Sequence, residues 1–207
     1  LGGGVGWLMR KHGLTVDNLL AVEVVTADGK RVRASEDEHS DLFWALRGGG
    51  GNFGVVTWFE FRLHSVGPTV LAGPILWDAA DVGEILRFYR DFVRDAPHEL
   101  GTVVRFGPAP PLPVIPEPLH WRPVVMVGTC YAGPIEDGER ELRPLRASPT
   151  PSLDLVRPGP YVGFQSGLDS TVVHGWNYYW KSTHLPELGD ELIDVMVEHA
   201  FACSSPR

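Results

Sequence analysis

The chain has 207 residues, enough for one large or two modest domains, and its 43% apolar content is that of an ordinary globular protein. Acids outnumber Lys and Arg 26 to 18, for a formal net charge of −8, and no basic stripe interrupts this balance, which argues against a nucleic-acid partner. No apolar run is long enough to cross a membrane as a helix, and the sequence leaves cellular location open.

The chain opens on a glycine cluster, Gly2 Gly3 Gly4 Val5 Gly6, and Val5 to His12 is predicted as a short helix closed by Gly13. Leu19 to Ala27 reads as a strand, and Asp28-Gly29 as a hairpin turn into a second strand from Lys30 to Ala34. Ser35 and Glu38 have the form of a capping box, with acids at 36–38 suited to a helix start. Ser40 to Arg47 is predicted as a helix that runs into a second cluster, Gly48 Gly49 Gly50 Gly51 Asn52 Phe53 Gly54, and Val55 to Leu63 as the strand leaving it.

A boundary is expected near Val66 to Pro68, dividing the chain into segments 1–66 and 67–207. Beyond it come a strand at Thr69 to Trp77, an amphipathic helix over Asp78 to Ala96 stopped by Pro97, and strands at Gly101 to Phe106 and Arg122 to Tyr131. Residues 107–120 are rich in proline and read as an extended loop, either a plain connector or the rim of a site. A charged helix starts at Pro134 and runs to about Arg146, and a last helix spans 187–202. Between them, 174–181 is predicted as a strand with Trp176, Tyr178 and Trp180 on one face and Asn177, Tyr179 and Lys181 on the other. The fold class is α+β, with an antiparallel sheet covered on one face by helices.

Runs of glycine remove side chains where something must come close, and they bare backbone amides to a ligand. The competing reading is that both clusters are tight turns. Gly49, Gly51 and Gly54 satisfy GxGxxG, but the order here is helix, loop, strand, the reverse of the dinucleotide fingerprint, and no Gly-Lys-Ser/Thr follows either cluster. Cys130 and Cys203 lie far apart without a CxxC, and the eight histidines lack ligand spacing, so no metal site is expected.

The runs LGGGVGWLMRKHGLTVDNLLAVEVVTADGK and DLFWALRGGGGNFGVVTWFEFRL resemble the second half of the FAD-binding domain of the p-cresol methylhydroxylase type, and more narrowly the berberine bridge enzyme-like flavin oxidases. The likeness is dense to about residue 64 and continues more loosely through PYVGFQSGLD and HGWNYYWKS. It implies a flavin-binding segment over 1–66 and an incomplete substrate domain over 67–207. FAD would be the cofactor, approached by Gly2, Gly3, Gly4 and Gly6 at the first turn and by Gly51, Asn52, Gly54, Val55 and Val56 at the second. Asp17 and Asn18 would adjoin the cofactor groove, or serve only as turn and cap. The resemblance further implies hydride transfer from an alcohol, sugar or amine carbon of a small-molecule substrate, with dioxygen as acceptor.

Tyr178, Tyr179 and Lys181 are its substrate-side candidates, and Tyr161, Phe164, Gln165 and Ser166 could border the same pocket. No catalytic base is named: the family's tyrosine base would lie after Arg207, and its flavin-linking histidine before Leu1, so the chain is expected to be an interior piece, inactive alone. Two other classes stay open, a catalytically silent binding or scaffold domain and a module for another phosphate ligand.

Overall fold

The computed structural model describes residues 2–147, 149–171, 174, 175, 177, 179 and 181–202. The chain divides into two compact units, Leu1–Val66 and Gly67–Arg207.

In the first unit a three-stranded antiparallel sheet, ordered β2-β1-β3, is built from β1 (Leu19–Val25), β2 (Arg31–Ser35) and β3 (Val55–Phe61). Val22, Val24 and Ala34 point to one face, where Phe43 and Leu46 of α2 (Ser40–Leu46) close over them. The opposite face is polar: Glu23 lies between Arg33 and Trp58 on the flanking strands, and the Arg33 guanidinium stacks over the Trp58 ring at 5.6 Å. The predicted hairpin forms with a longer loop than the Asp-Gly dipeptide requires, closed by the Thr26 amide donating to Lys30 at 2.9 Å.

The first helix is shorter than expected. Only α1 (Met9–His12) is helical, because the preceding residues form the glycine turn, and it ends at Gly13 as the sequence indicates. Ser35 caps a turn instead of a helix: its Oγ accepts from the amides of Asp37 and Glu38, while its own amide donates to Glu38. α2 then begins beyond His39, which takes a left-handed conformation.

The second unit is an antiparallel sheet ordered β5-β6-β4-β7, with β8 also pairing β4. Its strands are β4 (Thr69–Asp78), β5 (Leu100–Pro108), β6 (Pro123–Tyr131), β7 (Leu153–Asp154) and β8 (Arg157–Pro160). Period-two alternation splits the strands between two cores. Leu71, Ile75 and Trp77 with Val125, Val127 and Tyr131 meet Val82, Ile85 and Leu86 of α3 (Val82–Asp95), Leu145 of α5 (Arg143–Ala147) and Ile193 of α7 (Asp190–His199). The buried Trp77 indole satisfies its N–H on the Pro149 carbonyl at 2.8 Å.

Leu76 and Val124 face the other way, and there the proline-rich segment folds back to bury Ala109 and Ile115. The helices thus lie on one face, as expected, and the proline-rich segment covers the other. The charged helix is interrupted at Leu142, dividing α4 (Ile135–Glu141) from α5, with Pro144 in the first turn of the latter. Strands β7 and β8 escaped the sequence reading: β7 is two residues long, and β8 carries Pro158 and Pro160, which argue against a strand in sequence and are accommodated at a sheet edge.

The strand expected at 174–181 is not found: among the described residues there, His174 and Gly175 lie in a turn, and Asn177, Tyr179 and Lys181 carry no regular structure. Trp176, Tyr178, Trp180 and Cys203 lie outside the described residues. No helix among the described residues is long and apolar enough to cross a membrane.

Candidate functional site

The two glycine turns lie at opposite ends of β1. Gly4 packs against Thr15, just before the strand begins, and Gly54 against Val24 and Val25, where it ends. Seven residues of strand separate them by roughly 20 Å, from the rise per residue of extended chain.

At the first turn, the bonds that hold the segment land on its carbonyls. Gly3 O accepts from the Val16 amide and Gly4 O from the Thr15 amide, both at 3.0 Å; the Thr15 hydroxyl adds a bond to Gly4 O at 3.2 Å, and Met9 N donates to Gly6 O at 3.2 Å. The amides of Gly2, Gly3, Gly4 and Gly6 are left uncommitted among the described residues. Gly4 is required by packing, since a Cβ there would sit 2.4 Å from Thr15 Cβ. Gly2 and Gly6 are different: a Cβ would meet nothing within 4 Å, and neither has a positive φ. The fold gives no reason for them to lack a side chain.

The second turn divides in the same way. Gly49 would drive a Cβ to 2.3 Å from the Ala45 carbonyl, and Gly54, at φ +139°, to 2.4 Å from the Val25 carbonyl. Gly51, at φ −83° with open space where its Cβ would be, is free of both demands. Asn52 donates its side-chain amide to Gly49 O at 2.8 Å and so shapes the turn from within. Val55 is exposed, whereas Val56 turns its side chain into the core of the first unit.

Arg47, at the entrance to this turn, was not singled out by the sequence reading. Its guanidinium lies over the Phe43 ring at 4.8 Å, and its Nε is buried with no hydrogen-bond partner among the described residues. An arginine four residues after an aromatic on a helix was the available signal. Asn18 proves to be a junction: its amide nitrogen donates to His12 O at 2.8 Å and Leu14 O at 2.9 Å, and Asp17 caps the same turn through Leu14 N at 2.8 Å.

In the second unit, Lys181 Nζ stands 5.7 Å above the Tyr179 ring, and both side chains are exposed. Tyr161 and Gln165 bond to each other at 3.0 Å, and Ser166 Oγ turns back to Val162 O at 3.0 Å, so these groups are committed within α6 (Tyr161–Gln165) and the turn after it. Burial raises the Tyr161 phenol above its ordinary range, with the nearby Cys130 adding to the effect. Among the described residues no three His, Cys, Asp or Glu side chains gather as a metal site.

No family model matches the chain. An FAD-linked oxidoreductase of Dictyostelium discoideum is 30% identical over 201 residues, covering 96% of this chain and 41% of that protein. Glucooligosaccharide oxidase of Sarocladium strictum is 30% identical over 220 residues, covering the whole of this chain and 41% of the relative. Among solved structures, 6-hydroxy-D-nicotine oxidase of Arthrobacter nicotinovorans superposes with a TM-score of 0.68 at 31% identity, over 85% of this chain and 37% of that one. The chain spans about two-fifths of the length of these two curated relatives.

Proposed function

We propose, from the premise that this chain's homologues are FAD-linked oxidoreductases with berberine bridge enzyme-like oxidases among them, that its two glycine turns are backbone contact surfaces for FAD and that the protein carrying it is an oxidase of small molecules. One observation carries this reading: Gly2, Gly6 and Gly51 are bare where the fold itself demands nothing of them. Turns selected only for folding would keep glycine at Gly4, Gly49 and Gly54 and would have no use for it at the other three positions.

A cofactor laid along the first unit fits the remaining features. Uncommitted amides at Gly2 to Gly6 suit the acceptor atoms of a flavin or its pyrophosphate, and the roughly 20 Å between turns calls for a long, two-headed ligand. Arg47 adds a positive charge beside the second turn, as an anionic dinucleotide requires. Bound flavin would supply the redox chemistry, taking a hydride from an alcohol, sugar or amine carbon, with dioxygen as the acceptor that restores it. The residues of this chain hold and orient; Tyr179 and Lys181, with Tyr178, are proposed to position substrate.

The test is made on the full-length protein that contains this stretch. Gly6→Ala and Gly51→Ala are expected to leave the melting temperature unchanged while FAD affinity falls about tenfold, an energy near that of one lost hydrogen bond to a charged group. Unchanged affinity in both variants would remove the turns from the cofactor site. Tyr179→Phe and Lys181→Met should lower turnover with flavin retained, and unchanged kinetics would take them out of the substrate site.

A further inference from the structure

We infer that Arg105 recognises an anion, and that the small molecule taken by the second unit carries an oxyanion, a carboxylate or a phosphate, besides the carbon to be oxidised. The inference rests on the reading of this unit as the substrate side of an oxidase. It starts from charge on the sheet. Strands β4, β5 and β6 contain one acid, Asp78, and one base, Arg105. Asp78 is taken by the Arg122 guanidinium at 2.8 Å, whereas Arg105 has no hydrogen bond or ion pair among the described residues.

Strand alternation decides which way Arg105 points. On β5, Thr102, Val104 and Phe106 face the helices: Thr102 Oγ1 lies 2.8 Å from the Tyr89 hydroxyl of α3, and Val104 and Phe106 pack on the core there. Val103, Arg105 and Gly107 face the opposite way. Across from them on β6 stand Gly128, Met126 and Val124, and beyond the first two of these, on β4, Pro74 and Leu76. The proline-rich segment covers Leu76 and Val124, and Met126 packs with them. The row of Val103, Gly128 and Pro74 lies outside that cover: Val103 is exposed and the other two are half-buried. Arg105 is exposed at the boundary, where it lines a shallow depression with Gly107, Pro108, Val124 and Met126. A Cβ on Gly107 would sit 4.0 Å from Nη2, which places the guanidinium along β5 beside a position with no side chain.

A guanidinium so placed selects its partner by charge and by shape. It keeps its proton at every pH where proteins work, and its planar fork of N–H groups matches carboxylate or phosphate oxygens two at a time. Gly128 and Pro74 raise little above the sheet, so a small molecule laid on their row can bring such a group to Arg105 without collision. The competing role for Arg105 is that of a charge that keeps an edge strand from pairing with another chain, since β5 ends the sheet. Both roles use the same charge, but only recognition makes the binding of a small anion depend on it.

The experiment is calorimetric titration of the full-length protein at low salt with three pairs of compounds: D-glucose and D-glucuronate, benzyl alcohol and mandelate, glycerol and glycerol phosphate. In at least one pair the anion is expected to bind about tenfold more tightly than its neutral twin, the effect of one charged hydrogen-bonded contact. Which pair shows it tells carboxylate from phosphate. Arg105→Gln should erase the preference, and Arg105→Lys, which keeps the charge without the fork, should retain part of it. A wild type with no preference in any pair, or a preference that survives Arg105→Gln, would overturn the proposal and leave Arg105 as an edge charge. Flavin absorbance read on the same samples separates the two readings: a yellow protein without the preference loses the anion site and keeps the oxidase, and a colourless protein that prefers anions through Arg105 does the reverse.

Discussion

Gly54 and Gly51 carry the same letter three positions apart and do opposite things. Gly54→Ala places a methyl 2.4 Å from the Val25 carbonyl at a backbone angle that L residues avoid, and is expected to cost about 1–3 kcal/mol in urea unfolding. Gly51→Ala enters open space at an ordinary angle and should stay within about 0.5 kcal/mol of wild type in the same measurement. The sequence shows that both positions are bare but not which is bare for packing, because that depends on Val25, a residue reached only through strand pairing. Cys130 is simpler. Burial pushes its thiol up to about 12, so in the native chain it should resist alkylation at pH 8 and react only with denaturant present, as peptide mapping would show. The sign for stability follows. The folded state favours the neutral thiol, so the contribution is intact below about pH 8.5, the ordinary thiol value, and is lost as pH rises toward 12.

Elements with a strong period were legible, and those that depend on partners were not. α3 announces itself through apolar residues at three and four spacing and a proline stop, and Val82, Ile85 and Leu86 are the residues that the sheet buries. β7 and β8 have no period of their own; they exist because β4 offers an edge, and the Leu155 carbonyl lies where a Cβ on Gly73 would fall. α7 shows which forces hold an element once it is placed. Asp190 and Asp194 pair with Arg87 and Arg90 on α3 in exposed surroundings, while Ile193 between them is fully buried. Ile193→Ala should therefore cost about 2–5 kcal/mol, and Asp190→Asn less than about 1 kcal/mol with that difference vanishing in high salt, both read from chemical denaturation. A larger loss from Asp190→Asn than from Ile193→Ala would mean that charge, and not burial, seats the helix.

At the scale of the whole chain the question is how much of a cofactor site 207 residues can hold. Ligand sites work by enclosing most of the ligand's surface, and binding must first offset the lost freedom of both partners. The first unit offers two turns at the ends of one strand and the Arg47 guanidinium, whose Nε is buried with no hydrogen-bond partner among the described residues, while the net charge of −8 does nothing to draw in an anionic dinucleotide from solution. Attraction must then come from local groups, the turn amides and nearby basic side chains such as Arg47. The chain also spans only about two-fifths of the length of the two curated relatives. The expected outcome is that the isolated chain, incubated with FAD and passed through gel filtration, elutes without flavin absorbance, whereas the full-length protein elutes yellow. If instead the 207 residues carry flavin at one equivalent through the column, the two turns and Arg47 suffice to hold it, and the cofactor's affinity resides in backbone amides to a degree that Gly6→Ala and Gly51→Ala would then measure directly.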